Sequence, residues 1–210
     1  LNDDHQAWLT GHQMQLDEDR VFLTAHHTEP RNQQVQPVAK QSLFEDASED
    51  TRIMLFVGRL SREKGINDLV DVYQKVKQSN PDVRMIFAGS GPDESILKQR
   101  IPEALFTGWI DKQQLAQLYV SADLMLFPSR FDTFGNVILE AFTYGLPVFA
   151  YNCKGPKNII DHASSGFLST SSDEMAEQVS TYLQNPVLQE QMRKQVLSSV
   201  QNYQAKPIMD

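Results

Sequence analysis

The stretch Ser129-Arg-Phe-Asp-Thr-Phe-Gly-Asn-Val-Ile-Leu-Glu140 joins two different patterns of apolar residues. Before it, the run Leu124–Phe127 is short and wholly apolar, which predicts a buried strand. Pro128 ends that strand, because proline cannot continue a hydrogen-bonded ladder. Within the stretch, Val137 and Ile138 begin an apolar face with helical spacing. A buried strand followed directly by a helix is the repeating unit of an open α/β sheet, so this stretch decides the fold class.

The same alternation of strand and helix patterns runs through residues 51–210. Short apolar runs predict strands at 53–57, 84–88, 104–107, 124–127, 148–150 and 166–168. Helices are predicted at 66–76, from Pro92 in a first turn, from Asp111 as an N-cap, at 134–144 and at 173–200, with a break near Asn185. The expected fold is therefore α/β: a doubly wound, Rossmann-like parallel sheet of about six strands with helices on both faces.

Residues 1–50 differ from the rest of the chain. They carry three basic and ten acidic side chains, whereas the whole chain has a net charge of −8. They offer only a helical pattern at 4–14 and a strand pattern at 20–24, followed by a glutamine-rich and then acidic linker at 31–51. We therefore expect residues 1–50 to be the tail of a preceding N-terminal domain plus a linker, and residues 51–210 to form the ligand-binding domain.

Composition narrows the class of protein. The net charge of −8 argues against a nucleic-acid partner. A single cysteine, Cys153, excludes an internal disulfide and predicts a reducing, cytoplasmic compartment. No apolar run approaches the length of a membrane span, and no basic and apolar leader opens the chain.

The start of the helix predicted at 134–144 is the first candidate binding site. Thr133 is the expected N-cap, and Gly135 would let a ligand approach the backbone closely. The free amides of residues 134–137 would then point outward from the carboxyl end of a strand, where open sheets bind anions. Asp132 and Glu140 flank these amides and are suited to accept hydrogen bonds from sugar hydroxyls. Phosphate between two sets of hydroxyls describes a nucleotide sugar.

The loop Gly58-Arg-Leu-Ser-Arg-Glu-Lys-Gly65 is the second candidate site. It follows the first predicted strand, and in a doubly wound sheet the first and fourth strands flank the switch point. Arg59 and Lys64 would then face the helix start across one crevice and form a cradle for a diphosphate. Solvated loop charges are the alternative for these side chains, and the coincidence of two such loops favours the cradle.

Four motifs in a fixed order resemble the C-terminal half of family 4 (group 1) glycosyltransferases. They are the loop 58–65, Gly89-Ser-Gly91-Pro92, Phe106-Thr-Gly108-Trp109 and the segment 132–147. The resemblance covers about residues 50–205. It implies the GT-B fold, with two Rossmann-like domains and an active site between them, and it makes this chain the donor-binding domain. Residues 1–30 resemble the end of the family's N-terminal domain, and 202–210 resemble the lead-in to its last helix, cut short.

The resemblance implies a role for each matching residue. Arg59 and Lys64 match the basic pair that neutralises the donor's diphosphate. Asp132 stands where the family usually has glutamate, contacting the transferred sugar, and its shorter side chain is expected to change sugar preference or weaken that contact. Glu140 matches the glutamate that holds the ribose hydroxyls. The other implied donor contacts are Gly58, Trp109 and Ile110 (the last two beside the base), Thr133, Phe134, Gly135, Asn136 and Val137.

The implied function is retaining transfer of a hexosyl group from a UDP- or GDP-sugar to a glycan or glycolipid acceptor. Neither a metal nor another cofactor is expected, because fixed cations and amides stabilise the charge on the leaving diphosphate. The family's habits further suggest cell-envelope polysaccharide synthesis and peripheral membrane association. Two alternatives stay open: another GT-B enzyme, such as a UDP-sugar epimerase, and a non-catalytic sugar-nucleotide sensor, which only Asp132 favours. Asp17-Glu-Asp19 and His26-His27 are interpreted as solvated turn and linker.

Overall fold

The computed structural model describes residues 35–131 and 135–200, and the predictions at 4–14 and 20–24 lie outside these ranges. Its strands are β1 (Arg52–Val57), β2 (Val83–Ala88), β3 (Leu105–Gly108), β4 (Leu124–Phe127), β5 (Val148–Tyr151) and β6 (Gly166–Ser169). Its helices are α1 (Lys40–Leu43), α2 (Ile66–Ser79), α3 (Glu94–Arg100), α4 (Lys112–Ser121), α5 (Asn136–Thr143), α6 (Ser172–Leu183) and α7 (Pro186–Ser199). The strands lie within one residue of their predicted bounds, and the α/β class is confirmed.

The strands form one parallel sheet in the order β3-β2-β1-β4-β5-β6. The order reverses between β1 and β4, where Met54 pairs with Leu124 and Leu55 with Met125. Right-handed crossovers therefore place α2, which follows β1, and α5, which follows β4, on opposite faces of the sheet. The predicted switch point between the first and fourth strands is confirmed. This crevice is where open α/β sheets bind ligands.

The core explains why the strands were readable as continuous apolar runs. All four residues of β4 and of β5 are buried, because helices cover both faces of the sheet. On one face α2 packs against α6, and on the other α5 packs against α7. Strands buried on both sides carry no polar alternation, and this makes their positions visible in the sequence.

The amino-terminal edge of the sheet is closed by a network around Asp123, the residue before β4. Its carboxylate Oδ2 accepts a hydrogen bond from the backbone N–H of Ile53 at 2.8 Å, and its Oδ1 lies 3.9 Å from the guanidinium of Arg52. Its carbonyl accepts from the Tyr182 hydroxyl at 3.0 Å, and Arg193 donates to the neighbouring carbonyl of Ala122 at 2.8 Å. These contacts join β1, β4, α6 and α7 at one point.

Two predicted helix starts are wrong in detail. The N-cap of α5 is Gly135, with a φ of +61°, rather than Thr133, so the helix begins two residues later than predicted. Pro92 precedes α3 instead of lying in its first turn, because Asp93 is the N-cap. The Asp111 cap of α4 is confirmed: its side chain accepts from the N–H of Gln114, whose side chain accepts from the N–H of Asp111.

Candidate functional site

The loop after β1 and the loop after β4 touch at the carboxyl edge of the sheet. A Cβ added to Gly65 would lie 2.2 Å from the carbonyl oxygen of Pro128, so only glycine allows the two backbones to come this close. Gly65 also has a φ of +75°, in the left-handed region. The Ser129 hydroxyl donates to the carbonyl of Glu63 at 3.4 Å across the same contact. The structure therefore brings the two loops together.

The basic residues of the first loop differ in their surroundings. Arg59 is exposed, and no hydrogen bond or ion pair of its guanidinium occurs among the described residues. Lys64 is half-buried at the end of the 3₁₀ turn Arg62–Lys64. Arg62, by contrast, lies 3.8 Å from the carboxylate of Asp93, which also accepts from the Arg62 N–H at 2.9 Å. Of the basic side chains in this loop, Arg62 is therefore turned to Asp93.

Glycines also explain why the second loop of the sheet approaches the first. A Cβ at Gly91, after β2, would lie 2.3 Å from the carbonyl oxygen of Leu60. The N–H of Leu60 in turn donates to the carbonyl of Ser90 at 3.0 Å. The Gly89-Ser-Gly91 motif therefore holds the loop 58–65, the basic loop, in place by close backbone packing.

The first turn of α5 lies at the same edge as the basic loop. Gly58 is half-buried at the end of β1, Gly135 is buried at the N-cap, Asn136 is exposed and Val137 is half-buried. Since β1 and β4 are adjacent and parallel, the basic loop and this helix start share one rim of the sheet. Asp132, Thr133 and Phe134 lie outside the described residues.

Glu140 lies in the second turn of α5 with its side chain exposed. Its Oε2 accepts a hydrogen bond from the hydroxyl of Tyr119, on α4, at 3.2 Å. Tyr119 is buried, and its ring stacks on that of Tyr144 with centroids 5.5 Å apart. Burial, followed by the negative charge of Glu140, raises the pKa of the Tyr119 hydroxyl well above its ordinary value, so the hydroxyl stays a donor at any physiological pH.

Two large aromatic side chains are exposed at this edge. Trp109, directly after β3, is 87% exposed, and Phe131, after β4, is 82% exposed. Ile110, beside Trp109, is half-buried. Both side chains therefore leave most of their apolar surface in contact with solvent.

Sequence reasoning missed a cluster around Arg130. Its guanidinium lies 3.6 Å from the centre of the Tyr151 ring and 3.7 Å from the carboxylate of Asp68. The Tyr151 hydroxyl donates to Asp68 at 2.6 Å, and burial, with this bond second, raises the pKa of the tyrosine. The cluster fixes the loop after β4 against α2 and β5. No sequence spacing signals it, because its members lie on three separate elements.

Cys153 and the described metal-ligating side chains give no further candidate site. Cys153 is half-buried with its Sγ 3.6 Å from the carbonyl of Ser129. Within residues 35–131 and 135–200, no group of three His, Cys, Asp or Glu side chains is placed to hold a metal ion. In the same ranges, no helix combines the length and apolar composition that crossing a bilayer requires.

The fold and the candidate site at the carboxyl edge of the sheet, the edge site, together point to a class of protein. The family model described as "Glycosyl transferases group 1" matches residues 39–198. The chain therefore belongs to the group 1 glycosyltransferases, as the four motifs predicted.

Individual relatives agree with this family. A GDP-mannose-dependent alpha-mannosyltransferase of Corynebacterium glutamicum is 34% identical over 123 residues, covering 59% of this chain and 29% of that protein. A mutant of S. aureus TarM, solved with fondaparinux, alpha-GlcNAc-glycerol and UDP, has a TM-score of 0.79 and 16% identity over 98% of this chain and 40% of that one.

A second solved structure is similar at higher identity. HepE of Anabaena, in complex with UDP, has a TM-score of 0.66 and 25% identity over 74% of this chain and 45% of that one. These structural neighbours are GT-B enzymes. The chain spans less than half the length of each of the three proteins named.

Proposed function

We propose that this chain is the donor-binding part of a retaining glycosyltransferase that takes a hexosyl group from a UDP- or GDP-sugar. One observation carries the proposal: the loop with Arg59 and Lys64 packs directly on the loop that leads to α5, through the contact of Gly65 with Pro128. This contact supports a single crevice lined by cations on one side and by backbone amides on the other. Such a crevice is suited to a diphosphate.

The chemistry needs charge stabilisation more than proton transfer. When the glycosidic bond to the diphosphate breaks, negative charge develops on the leaving oxygen. Arg59, Lys64 and the amides of Asn136 and Val137 would stabilise that charge without reorganising, so neither a metal nor a cofactor is required in this proposal. Asp132 would contact the transferred sugar and Glu140 the ribose.

The known relatives support the type of donor. A relative is named for its dependence on GDP-mannose, and HepE was solved with UDP. Trp109, exposed at the end of β3, would lie against the base. We assign residues 51–210 to the donor domain and residues 1–50 to the tail of an N-terminal domain plus linker. The acceptor, a glycan or glycolipid, would bind on that other domain, at the cytoplasmic face of a membrane, so we expect little turnover from this chain alone.

Calorimetric titration with UDP-, GDP- and ADP-sugars tests the proposal. We expect one nucleotide class to bind, and we expect Lys64→Ala to abolish that binding while leaving the melting temperature nearly unchanged. Arg62→Ala is the matched control, because Arg62 is a basic residue of the same loop that is turned to Asp93. It should retain binding.

The outcomes separate clearly. Absence of binding to all three nucleotide classes at millimolar concentration would overturn the proposal. A large loss of stability in Lys64→Ala would instead assign that lysine a structural role. Equal losses in Lys64→Ala and Arg62→Ala would mean that only the overall charge of the loop matters, and the specific cradle would have to be abandoned.

A further inference from the structure

The hydroxyl of Tyr119 is a polar group inside the core, next to the edge site. Tyr119 is only 1% exposed, on α4, and its neighbours on that helix face are apolar. A buried hydroxyl without a partner costs free energy, so such groups are nearly always hydrogen-bonded. Among the described residues, the partner of this hydroxyl is the Oε2 of Glu140, at 3.2 Å.

The partner carboxylate is itself directed outward. Glu140 is exposed on α5, and the Tyr119 hydroxyl is the one hydrogen-bond donor to its side chain within the described ranges. A carboxylate accepts several hydrogen bonds, and one donor at Oε2 leaves Oε1 entirely available. An unrestrained glutamate side chain samples many rotamers, and ordering it on binding costs free energy. A donor fixed in the core removes part of that cost beforehand.

We propose that Tyr119 is a positioning residue that holds the Glu140 carboxylate ready to accept the two ribose hydroxyls of the donor nucleotide. This inference rests on the proposed function, since it specifies how one part of the same site works. In this proposal Tyr119 does not contact the donor and acts only by holding Oε2 of Glu140. Its hydroxyl therefore affects the contact with the ribose, and not the contacts with the diphosphate or the base.

The ring of Tyr119 does not account for the choice of tyrosine. Its stacking on Tyr144, with centroids 5.5 Å apart and planes 12° from parallel, would be kept by phenylalanine. Phenylalanine would also remove the need to satisfy a buried hydroxyl. The Tyr119 hydroxyl makes the hydrogen bond to Glu140, so Tyr119→Phe removes that bond while keeping the ring.

The test is Tyr119→Phe in the full chain, titrated with UDP, GDP and ADP and then with the 2′,3′-dideoxy form of whichever binds. We expect the ribonucleotide to bind the variant about three- to tenfold more weakly, the effect of losing one ordering hydrogen bond. The dideoxy analogue lacks the hydroxyls that Glu140 would hold. It should therefore bind the variant and the unaltered chain equally.

Tyr73→Phe is the matched control. Tyr73 is equally buried, and its hydroxyl also lies beside a glutamate, Glu103, at 3.1 Å, but near the start of β2 at the opposite edge of the sheet. This variant should bind the ribonucleotide as the unaltered chain does. Tyr119→Phe should melt within about 3 °C of the unaltered chain, because it loses one hydrogen bond. Tyr73→Phe should melt lower by up to about 6 °C, because its hydroxyl also accepts a hydrogen bond from Lys77 at 3.0 Å.

Failure of the inference differs from failure of the proposed function. If the unaltered chain binds none of the three nucleotides, the proposed function fails and the inference with it. If the ribonucleotide binds but Tyr119→Phe weakens it no more than Tyr73→Phe does, the positioning role is refuted and the proposed function stands. A loss of equal size for the dideoxy analogue would show that Tyr119 supports the site as a whole, which also overturns the inference.

Discussion

The two edges of the same sheet differ in how completely their basic side chains are paired, since Arg62 and Arg130 at the carboxyl edge have acidic partners but Arg59 has none in the part of the chain that the structure describes. At the amino edge, Asp123 is bonded to the N–H of Ile53 and lies near Arg52, and Arg84 lies 2.6 Å from the carboxylate of Asp46. At the carboxyl edge, the guanidinium of Arg59 has no such partner among the described residues. Charges at the first edge are used by the fold itself, whereas Arg59 at the second remains available to a ligand.

This difference gives a way to separate structure from function. A side chain whose polar atoms are satisfied within the chain should affect stability when it is removed, and one that is left open should affect binding. The contact of Gly65 with Pro128 belongs to both classes, because it is a packing contact that also forms the crevice.

Gly65→Ala should therefore have the largest effect. The new Cβ would lie 2.2 Å from a backbone carbonyl, at a φ of +75°, so the two loops must separate. We expect a loss of about 2–5 kcal/mol in the free energy of unfolding, from overpacking and left-handed backbone strain together. Nucleotide binding should be lost as well. Urea unfolding and calorimetry measure the two effects.

Gly108→Ala is the control for this substitution. Gly108 has a similar φ of +64°, but a Cβ there would meet nothing within 4 Å. It should cost only the backbone strain, about 1–2 kcal/mol. Equal destabilisation by the two variants would show that the Gly65 contact contributes nothing beyond its dihedral angle.

Arg59→Ala should affect binding alone. We expect the affinity for the nucleoside diphosphate to fall about 10- to 100-fold, the effect of losing a hydrogen-bonded charge, and the stability to change by less than about 0.5 kcal/mol. Arg84→Ala, at the amino edge, should do the reverse: some stability is lost with the Asp46 contact, and binding is retained. If Arg84→Ala weakened binding as much as Arg59→Ala, the two edges would not differ in the way proposed.

Asp123→Ala should affect stability alone. Ile53 is fully buried, so its N–H would be left without a partner, at a cost of about 1–3 kcal/mol. The melting temperature should fall by about 3–10 °C. Asp71→Ala is the control, because its ion pair with Arg100, at 3.0 Å, is exposed and should contribute little. An unchanged melting temperature for Asp123→Ala would show that the network around Asp123 does not contribute to stability.

The sequence predicted the strands better than it predicted the helix start and side-chain contacts near the carboxyl edge. The strands and their switch point were predictable, because strands buried on both faces appear in the sequence as continuous apolar runs. The start of α5 was not: Thr133 has the better capping side chain, but the left-handed turn at Gly135 sets the N-cap. The role of Tyr119 gives no signal in the sequence, since tyrosine and phenylalanine fit an apolar helix face equally well. Its bond to Glu140 joins two helices and leaves no periodic signal.

Of these substitutions, Trp109→Ala should have the smallest effect on stability and binding. It extends the comparison of the two sheet edges from charged side chains to an apolar one. Trp109 is 87% exposed, so its removal should leave the free energy of unfolding nearly unchanged. If a base stacks on it, the nucleoside diphosphate should bind about five- to tenfold more weakly, while inorganic pyrophosphate, which has no base, should bind as before. Val187→Ala, at a 64% exposed apolar residue on α7, should change neither. Weaker pyrophosphate binding in Trp109→Ala would mean that the tryptophan shapes the diphosphate crevice, and the base would then have to be placed elsewhere on this edge.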